Sequence, residues 1–319
     1  MKKTDLKGNK LTLARRAGRD LKRNYPVYIL FLSVFWVLFI FNYLPLAGMA
    51  VAFKDYNAFD GIFKSPWSNP WYYNFKELFS EYYIWKTIRN TLLQSGLRLL
   101  FCFPAPIFLA LVFNEIKVEW YKKSVQTILY LPHFLSWVIL GGVFSSILAS
   151  GGETGLVNAI IVKLGGKPVG FMSDPVWYLV FLIFSDVWQN VGFASILYLA
   201  AIASADVSAY EAAKIDGANR WEVMWYVTMP VLVPTVVLQL ILQLAKVLNG
   251  NFGQIRQTYS PSVYEYGDII DSYIYRTGLK SSGDYGVASA LGFFKSVIGF
   301  FLVMATNFIA DKISGEGIF

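Results

Sequence analysis

The chain has 319 residues, of which 55% are hydrophobic, 18% aromatic and only 15% charged. Soluble domains average roughly 25% charged residues, so this composition excludes an ordinary soluble domain. The net charge of +7 is concentrated at one end, with nine Lys and Arg residues against two acidic residues in positions 1–25. This asymmetry indicates a membrane orientation signal, and it predicts a basic cytoplasmic tail over 1–25 with no nucleic-acid partner.

Apolar segments long enough to cross about 30 Å of hydrocarbon recur along the rest of the chain. Pro104 and Pro106 are expected to interrupt the second of them, which membrane helices tolerate when neighbouring groups satisfy the freed backbone. No internal repeat is evident, which argues against the repeat-built secondary transporters. The sequence therefore predicts an all-α transmembrane domain over 26–319 with six spanning helices, at about 26–44, 85–113, 125–148, 175–203, 229–248 and 285–310.

The Lys and Arg residues between the spans set the orientation. With the N-terminus inside the cell, the cytoplasmic segments hold fifteen Lys and Arg residues and the outer segments hold eight. This bias predicts a multi-pass protein of the bacterial plasma or inner membrane with both termini in the cytoplasm. The outer segment 67–79 is rich in aromatic rings, which are typical of an aromatic belt at the membrane surface or of a docking surface for an external partner.

The sequence lacks the usual motifs of catalytic, metal-binding and nucleotide-binding sites. A single cysteine, Cys102, and a single histidine, His133, leave no disulfide framework and no metal-ligand cluster, and both are expected to be packed side chains. We find no glycine-rich phosphate loop and no His/Asp/Ser constellation. We therefore predict no catalytic residue, no metal and no cofactor bound by this chain.

One polar stretch, at about 204–230, separates the fourth and fifth spans. Ser208 followed by Glu211 has the spacing of a capping box, and Ala212 and Ala213 continue a short helix with little side-chain bulk. Gly217 is expected to end that helix, because glycine accepts the left-handed conformation found there. The pattern predicts a compact helix–turn–helix element, either one that couples to a soluble partner or an ordinary helical loop.

The same stretch resembles the EAA loop of ABC importer permeases. Glu211-Ala212-Ala213, then Gly217, then Pro230 thirteen positions later match its motif, although Val227-Thr228-Met229 replaces the usual isoleucine-x-leucine before the proline. Segments 251–279 and 285–296 are similar to the carbohydrate-class permeases, in particular the LplB-like oligosaccharide and polysaccharide group of maltose-type inner-membrane components.

The resemblance implies a type I ABC importer permease that moves an oligosaccharide across the bilayer. It implies a heterodimer with a second permease, an ABC ATPase dimer that holds ATP and Mg, and an extracytoplasmic solute-binding protein. Glu211, Ala212, Ala213 and Gly217 would then contact the ATPase. The alternatives are an ABC permease for a non-sugar solute and an ion-coupled secondary transporter.

Polar side chains at bilayer depth tend to face a bundle interior or a wet cavity, because a central charge costs roughly 2.5–3.5 kcal/mol. Amides near aromatic rings suit sugars, which present many hydroxyls and apolar ring faces. They could equally hold helices together, for example through a buried pair of Arg98 and Asp186. The candidate substrate path comprises Asn90, Gln94, Arg98, Asp186, Trp188, Gln189, Asn190, Gln239, Gln243, Lys246 and Lys295, several of them spaced to share a helix face.

Overall fold

The computed structural model describes residues 20–150, 155–281 and 283–314. Most of the predicted basic tail lies outside these ranges. In chain order the helices are α1 (Tyr25–Phe53), α2 (Gly61–Lys64), α3 (Tyr73–Ser80), α4 (Tyr82–Glu115), α5 (Glu119–Phe134), α6 (Trp137–Ile147), α7 (Leu156–Lys163), α8 (Pro175–Ala203), α9 (Val207–Ile215), α10 (Arg220–Ala245), α11 (Phe252–Thr258), α12 (Tyr264–Gly267), α13 (Ile270–Tyr275) and α14 (Tyr285–Ser314). The described ranges contain no β-strand, only one antiparallel bridge between Lys54 and Trp67.

Five helices in the described ranges are long and apolar enough to cross a membrane, namely α1, α4, α8, α10 and α14. The predicted third span is different, because α5 and α6 meet at an angle of 102°. The predicted span over 125–148 is therefore a bent pair of helices, which makes the sixth crossing if the two count as one span. Pro132 lies in a tight turn at the break, and the Ser136 side chain caps α6 by accepting from the Ile139 amide.

The interruption predicted in the second span is a π-helical turn within one continuous helix. Residues Arg98–Cys102 form a π-helical turn, and Pro104 begins the α-helical segment that follows. Proline has no N–H to donate to the preceding turn, and the π-helical turn before Pro104 absorbs this change in the hydrogen-bond pattern. Helix α4 thus runs unbroken for 34 residues, and its bulge places Arg98 toward the interior.

Three apolar clusters hold the bundle together. At the end away from α9, Leu78, Ile84 and Leu291 are fully buried where α3, α4 and α14 meet. In the next cluster Tyr178 of α8 is buried against the segments between α10 and α14. Near the α9 end, Leu232 of α10 packs with partners from α4 and α8. We call these two ends of the bundle the α9 end and the opposite end.

The N-terminal part of helix α1 has few contacts with the rest of the described chain, whereas its last turn, with the buried Val51 and Ala52, packs against α14. The most apolar stretch of this helix has none of its residues buried. Its rings stack at intervals of four residues, with Phe35 and Phe39 centroids 6.1 Å apart and Phe39 and Tyr43 centroids 6.4 Å apart. Most of its apolar surface is therefore free to contact lipid or another subunit.

Candidate coupling helix and polar cleft

Helix α9 forms at the predicted place but is capped by a different residue. The Asp206 side chain accepts a hydrogen bond of 2.9 Å from the Ser208 amide, and Glu211 stays exposed. The predicted Ser208–Glu211 capping box is therefore wrong. Helix α8 ends at Ala203, so the chain turns within three residues and Asp206 is already in the capping position. Hydrogen bonds from the Ser208 hydroxyl and amide lower the pKa of Asp206, which keeps the cap charged.

One face of α9 is exposed and the other packs on the bundle. Glu211 and Ala212 are exposed, whereas Tyr210 and Ala213 are half-buried. The Tyr210 hydroxyl lies 3.1 Å from the hydroxyl of Thr228, which belongs to the next long helix, α10. The short helix is thereby attached to the membrane part of the chain through its inner face.

Gly217 ends α9 as the sequence predicts. Its φ of +78° lies in the left-handed region that favours glycine. The Gly217 amide donates to the Lys214 carbonyl at 3.2 Å, and the Ala218 amide donates to the Ala213 carbonyl at 3.0 Å. These two bonds form a Schellman motif, which satisfies the last carbonyls of the helix and fixes the direction in which the chain leaves it.

Helix α10 begins immediately after this turn. Asn219 and Glu222 form a reciprocal capping box, in which the Asn219 side chain accepts from the Glu222 amide at 3.1 Å and the Glu222 carboxylate accepts from the Asn219 amide at 2.6 Å. The helix then continues to Ala245 with Pro234 inside it. Only two residues, Ala218 and Asn219, separate Gly217 from this spanning helix, so the connection is short and doubly capped.

A polar cleft of about 250 Å³ lies between α4, α8 and α10. Its walls include the aromatic ring of Phe103 and apolar side chains of α8. Four residues of the predicted path and one further tyrosine line it, namely Asp186, Asn190, Gln239, Gln243 and Tyr198. Amide, phenol and carboxylate groups are thus gathered beside apolar surface, the combination that binding sites for polar solutes use.

Asp186 is neutralised within the bundle. It forms an ion pair with Arg98, whose side chain is 9% exposed, while that of Asp186 is 13% exposed. Arg98 also donates to the Gln254 side chain at 2.7 Å. The Asp186 carboxylate accepts from the Asn190 side chain at 2.8 Å and from Asn251 at 3.3 Å. Because these groups share the charge, the wall of the cleft is polar but carries no net charge at this point.

The same network reaches the bend between α5 and α6. The side-chain oxygen of Asn190 lies 3.0 Å from His133 Nδ1, and the His133 ring stacks on Phe193 with centroids 4.0 Å apart. The Gln189 amide donates to the Leu135 carbonyl at 2.9 Å. A backbone carbonyl freed by the bend is therefore satisfied by a side chain of α8.

Two other predicted path residues hold a loop in place. Asn90 is fully buried and donates to the carbonyls of Glu265 at 2.8 Å and Asp268 at 3.1 Å. Gln94 donates to the Tyr266 carbonyl at 2.7 Å. The sequence places these amides on one face of α4, and the structure brings that face against the segment around α12. Their observed contacts match the alternative prediction, in which polar groups tie parts of the bundle together.

The remaining predicted path residues lie away from the cleft. Trp188 packs edge-on against Phe144, and Lys246 is exposed just after α10 ends. Lys295 forms an ion pair of 2.6 Å with Asp271 in α13. The structure thus divides the predicted set into cleft-lining residues and residues with contacts elsewhere.

Sequence reasoning missed a charged cluster at the opposite end. Asp268 is fully buried, accepts from the Tyr83 hydroxyl at 2.8 Å and pairs with Arg276 at 2.7 Å. The Arg276 guanidinium also lies 4.5 Å from the centre of the Tyr264 ring. Burial opposes the charge of Arg276, but the hydrogen bond and charge of Asp268 outweigh it, so the pKa of Arg276 is raised. The density of Tyr and charged residues in 251–279 was the available signal.

The family of the chain follows from comparison with known proteins. A model of the family described as "Binding-protein-dependent transport system inner membrane component" matches residues 103–315, about two thirds of the sequence. The chain belongs to this family. It is the membrane-spanning permease subunit of a binding-protein-dependent ABC importer, a multi-pass membrane protein that carries out no catalysis because the ATPase of such importers is a separate subunit.

Individual relatives place it in the carbohydrate-uptake class. It is 38% identical to Protein LplB of Bacillus subtilis over 94% of this chain and 92% of that protein. It is 37% identical to the polygalacturonan/rhamnogalacturonan transport system permease protein YteP of the same organism, over 92% and 90%. Among solved structures it matches a chain of a bacterial ABC transporter that imports the acidic polysaccharide alginate, with a TM-score of 0.84 and 38% identity over 94% of this chain and 99% of that one.

Proposed function

We propose that this chain carries an oligosaccharide through the cleft between α4, α8 and α10, driven by an ATPase that engages α9. The observation that carries the proposal is the continuous helix α10. It begins two residues after the turn of Gly217 and brings Gln239 and Gln243 to the wall of the cleft. A displacement of α9 is thereby transmitted along a single helix to the residues that would contact the solute.

The exposed face of α9 is the surface that would meet the ATPase. Glu211 and Ala212 present a small, singly charged surface, and the Gly217 turn fixes its angle to the bundle. Ala213 lies on the inner side, where its lack of bulk allows close packing. ATP and Mg²⁺ would bind to the ATPase dimer, and closure of that dimer would change which end of the cleft is open, as expected for a two-state element biased by a ligand.

A second permease subunit would complete the membrane part. Helix α1 leaves its most apolar stretch unburied by this chain. In a membrane, close contact between helices comes from packing and not from hydrophobic exclusion. The stacked rings of Phe31, Phe35 and Phe39 offer such a packing surface. A heterodimer also supplies the facing wall that a cleft on one subunit lacks.

The opposite end would receive the solute-binding protein. A second match, with a TM-score of 0.84 and 39% identity, is to the alginate transporter in complex with a periplasmic protein that holds an alginate pentasaccharide. The cluster of Asp268, Arg276 and Tyr83 gives this end a rigid folded surface. In this assignment α9 and both termini face the cytoplasm, in agreement with the distribution of Lys and Arg.

An ion-coupled secondary transporter fits the site less well. Such a transporter needs a carboxylate that can take up and release its coupling ion or proton. Asp186, the carboxylate in the cleft, is already paired with Arg98 and accepts from two amides. An ABC importer of a non-sugar solute differs only in its cargo, and binding measurements on the cognate solute-binding protein with neutral and acidic oligosaccharides would decide between them.

The coupling role is tested by reversing the charge of Glu211. In Glu211→Lys we expect uptake by membrane vesicles to fall to near background while the amount of folded chain is unchanged. The matched control is Glu119→Lys, since Glu119 is an exposed carboxylate at the same end, outside α9. Uptake by the Glu211→Lys variant at the level of the control would contradict the coupling role. Failure of an ATPase and a second permease to co-purify would contradict the assembly as a whole.

A further inference from the structure

A second cavity, separate from the polar cleft, lies at the α9 end of the bundle. It is a groove of about 700 Å³ between α5, the last turns of α8 and the inner face of α9. Leu199 and Ala203 belong to its lining, whereas Asn190 and Ala194 line the cleft. Each groove residue follows its cleft counterpart by nine positions, about two and a half turns, so the two cavities lie on opposite sides of α8.

Most polar groups of the groove come from α5 and α9, and Asn114 at the end of α4 adds one more. On α5, Lys122, Gln126 and Tyr130 are spaced four residues apart and share one face. On α9, Tyr210 and Lys214 are also four residues apart and face the same space. Two ammonium groups, two phenols and two amides therefore line the groove.

Among the described residues, the two lysines have no counterion. Neither the Lys122 nor the Lys214 side chain forms an ion pair or hydrogen bond with any part of the chain that the structure describes. The adjacent Lys123 differs, because it pairs with Glu119 at 3.8 Å. Lys122 is half-buried, so its charge is held beside the groove instead of being fully solvated.

The floor of the groove is apolar, formed by side chains of α8 such as Ile196 and Leu199. Exposed aromatic residues at the same end, Trp120 two positions before Lys122 and Trp221 at the start of α10, are typical of a membrane interface. A ligand that suits both parts carries a negative headgroup at the interface and an apolar chain reaching toward the bilayer core. A free phosphate ion would leave the apolar floor unused.

We infer that this groove binds an anionic phospholipid, with its phosphate between Lys122 and Lys214 and an acyl chain along Ile196 and Leu199. Basic pockets between membrane helices recognise lipid headgroups in this way. Because Tyr210 and Lys214 belong to α9, the bound lipid also contacts the helix to which we assign coupling. The inference rests on the proposed function only for that consequence and for the choice of the inner leaflet, and not for binding itself.

The test measures lipid binding directly. The full-length chain, purified in detergent with the subunits that co-purify with it, is titrated with phosphatidylglycerol or phosphatidylcholine and examined by native mass spectrometry. Each lysine near a membrane surface contributes about 1 kcal/mol toward anionic lipid, so Lys122→Gln with Lys214→Gln should weaken phosphatidylglycerol binding about 30-fold. The control is Lys117→Gln with Lys123→Gln, which removes the same charge at the same end and should leave binding unchanged.

Several results would overturn the inference. Equal binding of both lipids by the unaltered chain, or equal loss in the two double variants, would mean that no specific site exists. Displacement by millimolar inorganic phosphate would identify a free anion as the ligand. A cross-link from Gln126→Cys to a co-purified subunit would mean that protein fills the groove. Uptake is measured separately after the same preparation is reconstituted into vesicles, so a failed proposed function and a failed lipid site are distinguishable.

Discussion

Arg98 and Asp186 form an ion pair that joins the π-helical turn of α4 to the middle of α8. Both side chains are largely buried, so removing one partner leaves the other charged and unpaired. We expect Arg98→Gln to destabilise the protein by about 3–5 kcal/mol. The double variant Arg98→Gln with Asp186→Asn should recover much of that loss, because it leaves no charge in the interior. Thermal unfolding in detergent measures both effects.

The exposed pair of Lys123 and Glu119 is the matched control for this experiment. These side chains are 76% and 72% exposed and lie 3.8 Å apart. Exposed pairs contribute little, so Lys123→Gln should leave the melting temperature unchanged. If the double variant of Arg98 and Asp186 were as unstable as Arg98→Gln alone, the charge itself would not be the cause.

Gly192 marks the closest approach between α5 and α8. A Cβ atom at this position would overlap the main-chain carbonyl of Leu129, which cannot move without displacing α5. Gly192→Ala should therefore lower the melting temperature strongly. The control is Gly96, an exposed helical glycine where an added Cβ would have no atom within 4 Å. Gly96→Ala should be neutral or stabilise by up to about 1 kcal/mol, and similar losses in both variants would contradict close packing at Gly192.

The turn at Gly217 requires glycine for its backbone conformation and not for lack of room for a side chain. Nothing lies within 4 Å of a Cβ placed there, yet its φ is +78°. A β-branched residue is strained in that region, whereas asparagine is tolerated. Gly217→Val should reduce uptake while the chain remains folded, and Gly217→Asn should keep most of it. Equal uptake by the two variants would mean that the angle of α9 is unimportant for transport.

We expect replacements of the amides in the predicted path to have two different effects, one on uptake and one on stability. Gln243 lines the cleft and has no side-chain hydrogen bond within the described residues, so Gln243→Ala should lower uptake at unchanged stability. Gln94 is buried and supports the Tyr266 carbonyl. Its replacement by alanine leaves that carbonyl unpaired, which costs about 1–3 kcal/mol of stability. Parallel measurements of uptake and melting temperature test both, and an unstable Gln243→Ala variant would assign Gln243 a structural role.

Apolar length and motif spacing predict the spans and the α9 element because both depend on local sequence. They do not predict the bend near Pro132, since the apolar run continues through it. The spacing of Ser208 and Glu211 led to the wrong cap for α9, because Asp206 can also accept from a backbone amide and the short turn after α8 places it in the capping position.

Long-range partners were beyond local reasoning. The spacing of Asn90 and Gln94 places them on one face, but it cannot distinguish a solute from backbone carbonyls more than 170 positions away. Likewise, Gln254 and Asn251 lie in the polar segment between the fifth and sixth predicted spans, and nothing in the local sequence indicates that they contact Arg98 and Asp186.

Helix α11, which carries Gln254 and is capped by Asn251, is inserted into the bundle, and Gln254 is fully buried. The Gln254 side chain accepts a hydrogen bond from Arg98, and the Asn251 side chain donates one to Asp186. One layer of side chains therefore separates this segment from the wall of the cleft. If the solute-binding protein docks at the opposite end, as we propose, a shift of this segment would move Arg98 and Asp186 through these hydrogen bonds. The proposed cleft would then respond to docking on the far side of the membrane from α9.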